Sequence, residues 1–135
     1  MKASVVVADD VPAVRQALLE LLDSFNEFTV VGEAGDGAEA LSLLERLRPD
    51  VLVTDLSMPA YSGIELAEEI RRRRLPTKVV ILSMHGDEPY VARAMACGAS
   101  CYVLKESGVE HTVTAIREAL AGGRYVSPPL VLPTN

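Results

Sequence analysis

DVLVTD, residues 50–55, decides how this chain folds. Val51, Leu52, Val53 and Thr54 follow one another with no charged residue to turn toward water. A short run of this kind suits a strand covered on both faces, as in a parallel sheet. It stops at a carboxylate, Asp55. Runs of the same character stand on either side of it: Val5–Ala8 in SVVVADD stops at Asp9 and Asp10, and Val79–Leu82 in KVVILS stops at Ser83. Phe28–Val31 and Cys101–Leu104 read as two further strands nearer the sheet edges, and CYVLK stops at Lys105.

Helical patterns fill the intervals. Val11, Val14, Leu18, Leu21, Leu22 and Phe25 make one apolar stripe at helical spacing. Asp36–Glu39 and Ser62–Glu65 are capping-box patterns, the first before Ala40, Leu41, Leu44 and Leu47, the second before Leu66, Ala67 and Ile70. Glu88-Pro89 opens a fourth helix that Gly98 closes. Ser107–Glu110 opens a fifth, carrying Val113, Ile116 and Leu120 and ending at Gly122-Gly123. Strict alternation of strand and helix implies parallel strands, right-handed crossovers and helices on both faces. The expected fold is therefore α/β, a flavodoxin-like (βα)5 doubly wound sheet forming a single domain. Alternation does not fix strand order; 2-1-3-4-5 is the order adopted here. RYVSPPLVLPTN, residues 124–135, is proline-rich and aperiodic and reads as a tail or linker.

The bulk numbers agree. A chain of 135 residues, 49% of them hydrophobic, can bury a core of its own. A net charge of -6 argues against general binding to nucleic acid or an anionic membrane. No apolar run is long enough to span a bilayer, and no leader pattern opens the chain, so a cytoplasmic location is expected. Cys97 and Cys101 read as small reduced core residues rather than a disulfide or half of a zinc site.

Parallel strands bring Asp9, Asp10, Asp55, Ser83 and Lys105 to one carboxyl edge, where open α/β sheets keep their crevice. Asp9 and Asp10 would equally suit plain capping of the helix that follows. Three carboxylates meeting in one crevice repel strongly, each pair by on the order of 4 kcal/mol at about 4 Å. A proton or a cation relieves this. A hard divalent ion fits: magnesium keeps several waters and asks for one or two carboxylates plus a phosphate oxygen. A carboxylate can also attack phosphorus and form an acyl phosphate. The moving phosphoryl group spreads its charge over three oxygens. A metal at Asp10, the Lys105 ammonium and the Ser83 hydroxyl could each meet one. Asp55, alone on the third strand, is the candidate nucleophile.

ADD at the first strand end, DLSMP around Asp55, the later GIE, the serine after the fourth run and YVLK on the fifth together resemble the receiver domain of two-component response regulators, over about residues 2–123. That resemblance implies that Asp55 accepts a phosphoryl group from a sensor histidine kinase. It implies Mg2+, or Mn2+ in its stead, held by Asp9, Asp10, Asp55 and the backbone carbonyl of Ser57. Ser83 and Lys105 would stabilise the phosphoryl group, and Tyr102 would be the aromatic that follows Ser83 inward. GDGAEAL, YSGIEL and AIREALAGGRYVSP resemble the NarL/FixJ-type branch, in which a linker and a helix-turn-helix DNA-binding domain follow. Residues 1–123 would then be the receiver and 124–135 the start of that linker, with transcription as the regulated output. This domain itself would touch neither nucleic acid nor membrane, and a homodimer stays open beside a monomer. Glu106 stands where many receivers have proline, and Ser83 where many have threonine.

Other readings remain. An aspartyl-nucleophile phosphatase would want a second carboxylate two positions after Asp55, where Ser57 stands. A flavin module would want a Ser/Thr/Gly-rich phosphate loop in place of the acidic ADDVPA. A degenerate receiver would act as a scaffold, or a stand-alone one through protein contacts. His85, two residues past Ser83, is a candidate modulator of water access. Arg71–Arg74 read as solvated helix-end cations, His111 as a surface residue, and Met84 and Met95 as core or interface filler.

Overall fold

The computed structural model describes residues 2–108 and 110–133. Its elements run β1 Ala3–Ala8, α1 Pro12–Asp23, β2 Phe28–Ala34, α2 Gly37–Leu47, β3 Val51–Asp55, α3 Gly63–Arg72, β4 Lys78–Ser83, α4 Glu88–Ala96, β5 Cys101–Leu104, α5 Glu110–Leu120 and β6 Tyr125–Val126. The strands form one sheet in the order β2-β1-β3-β4-β5-β6, and every pairing is parallel.

Period-two alternation divides each apolar run between two layers. Val6, Ala8, Leu52, Val79, Ile81, Tyr102 and Leu104 face the side covered by α2, α3 and α4. Val5, Val7, Val51, Val53, Val80, Leu82 and Val103 face the side covered by α1 and α5. Both faces being buried, none of these positions tolerates a polar residue, which is why the runs are continuous. Leu52 is fully buried on the central strand. Leu52→Ala should cost about 2–5 kcal/mol, seen as a lower urea midpoint at unchanged slope.

Helix starts follow local chemistry. The Ser62 hydroxyl accepts from Glu65 N, and Glu65 answers by accepting from Ser62 N. At α2 the box is only half closed: Asp36 accepts from Glu39 N, but the Glu39 carboxylate takes the Gly35 N–H instead.

The structure departs from the sequence reading in several places. A sixth strand follows α5 and takes the sheet edge, so β5 lies next to the edge and not at it. Ser107 lies in a single 3-10 turn, Lys105–Ser107, and its hydroxyl donates to Pro128 O. Of the two methionines read as core or interface filler, Met95 is buried and Met84 is 72% exposed. The arginines after α3 are not simply solvated. Arg72 and Arg73 pair with Glu69, Arg73 also with Glu45, and Arg71 donates to Ala96 O. His111 shares a hydrogen bond of 2.6 Å with the Tyr125 hydroxyl. Cys97 and Cys101 are both free thiols, and burial pushes the Cys101 thiol up to about 12, which leaves it inert. No helix among the described residues is long and apolar enough to cross a membrane.

Candidate functional site

The sheet order reverses between β1 and β3, because β2 lies to one side of β1 and β3 to the other. The crevice beyond the carboxyl ends of these two strands receives Asp9 and Asp10 from one and Asp55 from the other. Carboxylate oxygens of the three lie within 4.8 Å of one another. Asp9 is fully buried, Asp55 nearly so, and Asp10 exposed at the mouth.

Lys105 reaches in from the end of β5. Its Nζ lies 3.2 Å from Asp9 Oδ2 and 3.3 Å from Asp55 Oδ1. One ammonium thus faces three carboxylates, and the excess is negative. Burial pushes the Asp55 carboxyl above its ordinary range; Lys105 opposes the shift, and the Asp9 charge adds to it. An oxygen-only donor set with surplus negative charge, partly open to water, fits a hard divalent cation. Asp9, Asp10 and Asp55 are the side chains that could hold one.

Backbone contacts fix the two strand ends. Asp9 Oδ1 accepts from Val11 N at 2.9 Å, so the aspartate braces the turn into α1 without capping it: the N-cap residue is Val11. Arg15, which the sequence did not single out, donates to Asp9 O at 2.7 Å and pairs with Glu33. Thr54 donates its hydroxyl to Asp55 O at 3.0 Å. Gly63 brings α3 close behind the crevice, for a Cβ there would lie 2.8 Å from Asp55 O.

Ser83 is buried at the end of β4, and its Oγ accepts from His85 N at 2.9 Å. Tyr102 is fully buried on β5, with its hydroxyl donating to His85 O at 2.6 Å. One loop residue, His85, is therefore tied through its own backbone to both. The His85 ring is exposed and stacks on Tyr90 at 5.1 Å. Ser57 is exposed in the loop after β3. Asp9, Asp10, Asp55 and Lys105 thus meet in one pocket; Ser83 ends the strand beside β3, and Tyr102 and Ser57 lie around it.

The family profile of the response regulator receiver domain matches residues 5–117. The transcriptional regulatory protein DegU of Brevibacillus brevis is 35% identical over 127 residues, 94% of this chain and 54% of DegU. The transcriptional regulatory protein NarL of Mycobacterium tuberculosis is 38% identical over 96% of this chain and 60% of NarL. The chain thus spans little more than half the length of these relatives. The solved signal receiver domain of that NarL superposes with a TM-score of 0.86 at 37% identity, covering 90% of this chain and 98% of the other. The isolated receiver domain of RcsB from Salmonella enterica, solved with the phosphomimetic BeF3-, gives 0.86 at 27% identity, covering 95% of each. The crevice lies where the fold's topology dictates, and profile, relatives and structures agree: the chain belongs to the response regulator receiver domains of two-component systems, of the NarL type.

Proposed function

We propose that this domain is a phosphorylation-controlled switch in which Asp55 takes a phosphoryl group from the phosphohistidine of a sensor kinase. The single observation that carries the reading is the convergence of Asp9, Asp10 and Asp55 on Lys105 at one strand edge. The Asp55 carboxylate attacks phosphorus, the bond to the donor breaks, and an acyl phosphate forms. Lys105 then exchanges a carboxylate partner for a phosphoryl oxygen. Ser83 turns its hydroxyl toward another oxygen, and His85 N loses its acceptor. The His85 segment shifts, and with it the carbonyl that holds Tyr102. Both conformations pre-exist, and the phosphoryl charge shifts their balance.

Asp9, Asp10 and Asp55 would hold Mg2+, or Mn2+, with the Ser57 backbone carbonyl as a further ligand. The ion supplies positive charge against the transferred phosphoryl oxygens. His85, at the rim, would tune the access of water and so the lifetime of the acyl phosphate. The domain acts as a regulatory acceptor and not as a turnover enzyme. Its setting is the cytoplasm, and its readout is a changed protein surface that controls transcription through a DNA-binding domain, with a homodimer as one form that surface can take.

Intact mass after treatment with acetyl phosphate and Mg2+ tests the acceptor. One added phosphoryl group that hydroxylamine removes supports an acyl phosphate; no gain overturns the reading. The metal has its own test. Mg2+ at a hundred times its Kd should stabilise the fold by about 2.7 kcal/mol. In Asp10→Asn most of that gain should vanish over the same titration, while the metal-free fold keeps its parent stability or exceeds it. An undiminished Mg2+ effect would remove Asp10 from the ligand set.

A further inference from the structure

The stretch that reads as a loose tail is hydrogen-bonded to the chain on both sides of Lys105. Tyr125–Val126 pair with Cys101 and Tyr102 as β6. Ser127 is fully buried: its N–H donates to Tyr102 O at 3.1 Å, and its Oγ accepts from Leu104 N at 2.8 Å. The Ser107 hydroxyl donates to Pro128 O at 2.7 Å. Leu130 closes a turn by donating to Ser127 O at 2.9 Å and packs against the core beside Gly86, where a Cβ would lie 3.2 Å from Leu104 Cδ2 and 3.5 Å from Leu130 Cδ2.

The segment therefore has two anchors. The first, Leu104 and Ser107, brackets Lys105. The second, Gly86, follows the residue whose N–H is held by Ser83 and whose carbonyl is held by Tyr102. Between segment and α4 a cavity of about 480 Å³ remains, lined by Gly86, Val91, Ala92, Leu130 and Leu132. The seat is only partly filled, so the hold rests on the anchors.

We infer that residues 125–132 are a strap, anchored to the backbone around Lys105 and to the loop at Gly86, whose hold weakens when the pocket carries a phosphoryl group. The inference rests on Asp55 being the acceptor. Lys105 drawn toward a phosphoryl oxygen pulls Leu104–Ser107 away from Ser127 and Pro128. Ser83 turning inward frees His85, and Gly86 moves off Leu130. Occupancy of the pocket is thus transmitted to the end of the sheet from which any following chain departs.

Amide hydrogen exchange, with beryllofluoride and Mg2+ as probe, tests this. Exchange at Leu104, Ser127 and Leu130 should accelerate about tenfold on probe binding, a typical size for coupling between sites. Reciprocity requires that a weakened strap bind the probe better. Ser107→Ala, which removes both the bond to Pro128 O and the Oγ that accepts from the Ser127 hydroxyl at 3.4 Å, should therefore exchange faster at Ser127 without the probe and show a severalfold lower Kd for it. Unchanged or slower exchange at the three strap amides, while His85 N responds, overturns the strap and leaves the acceptor reading intact. No response even at His85 overturns the acceptor reading, and the strap with it.

Discussion

Asp55→Asn is expected to take no label from acetyl phosphate and Mg2+, a loss of at least about 10³-fold against the parent, the scale seen when a nucleophile is deleted. The amide has no anionic oxygen to offer phosphorus. Asp9, which is buried against Lys105 and the Val11 N–H, cannot replace it without giving up both partners. Asp10 stays wet and therefore less reactive as a substitute. The same variant should be more stable than the parent without metal. Burial holds the Asp55 carboxyl above its ordinary value, Lys105 notwithstanding. A pKa raised in the folded state means that the group's contribution is fully present below the unfolded value and is lost as pH rises through the folded one. At neutral pH the Asp55 charge therefore works against the metal-free fold, and asparagine removes it. Thermal unfolding in EDTA should show Asp55→Asn above the parent at pH 7, with the two converging as pH falls through the carboxylate range. A parent-like rate of labelling would refute the assignment, and an unchanged difference across pH would refute the electrostatic account.

Much of the fold could be read from the sequence because one physical constraint repeats. Strands covered on both faces must be apolar throughout, so β1, β3 and β4 announce themselves, and their chemistry begins where the apolar run ends. Asp9, Asp10, Asp55, Ser83 and Lys105 stand at those boundaries, which is how a pocket built from distant segments became visible. What escaped detection lacks such a signature. β6 has two residues, too few for any period, and prolines follow at 128 and 129. It pairs because β5 would otherwise present an open edge, a property of the sheet and not of the segment. Ser127 looks like a turn serine until the Leu104 N–H it satisfies is seen. Arg15 lies among helix-surface residues, and only the return of β2 beside β1 gives it Glu33 and the Asp9 carbonyl together. Met84 and Met95 read alike as core or interface filler, and hydrophobicity alone does not tell them apart; the chain leaves the sheet at Ser83 and carries Met84 outside.

Lys105→Met should separate two properties that move together in most pocket variants: tighter magnesium and slower phosphorylation. The ammonium is the only cation within salt-bridge distance of Asp9 and Asp55 among the described residues. Without it the carboxylates repel with nothing between them, and an arriving Mg2+ meets more negative charge and no competitor. Its Kd should fall about tenfold, the consequence of removing one like charge at close range in a partly screened site. The phosphoryl oxygen that Lys105 would have met is then uncompensated. Labelling at saturating Mg2+ should slow by about 10²–10³, the usual cost of one lost charge-stabilising donor. Stability supplies an independent sign. Lys105 is what draws the Asp55 carboxyl down against burial, so in the variant that group rises further. The variant should be less stable than the parent at pH 7 without metal, and the deficit should close as pH falls and Asp55 takes up its proton, or as Mg2+ is added. Metal titration, labelling rate and unfolding at two pH values make up the test. If magnesium affinity falls along with the rate, Lys105 acts by holding the pocket's shape and not by its charge.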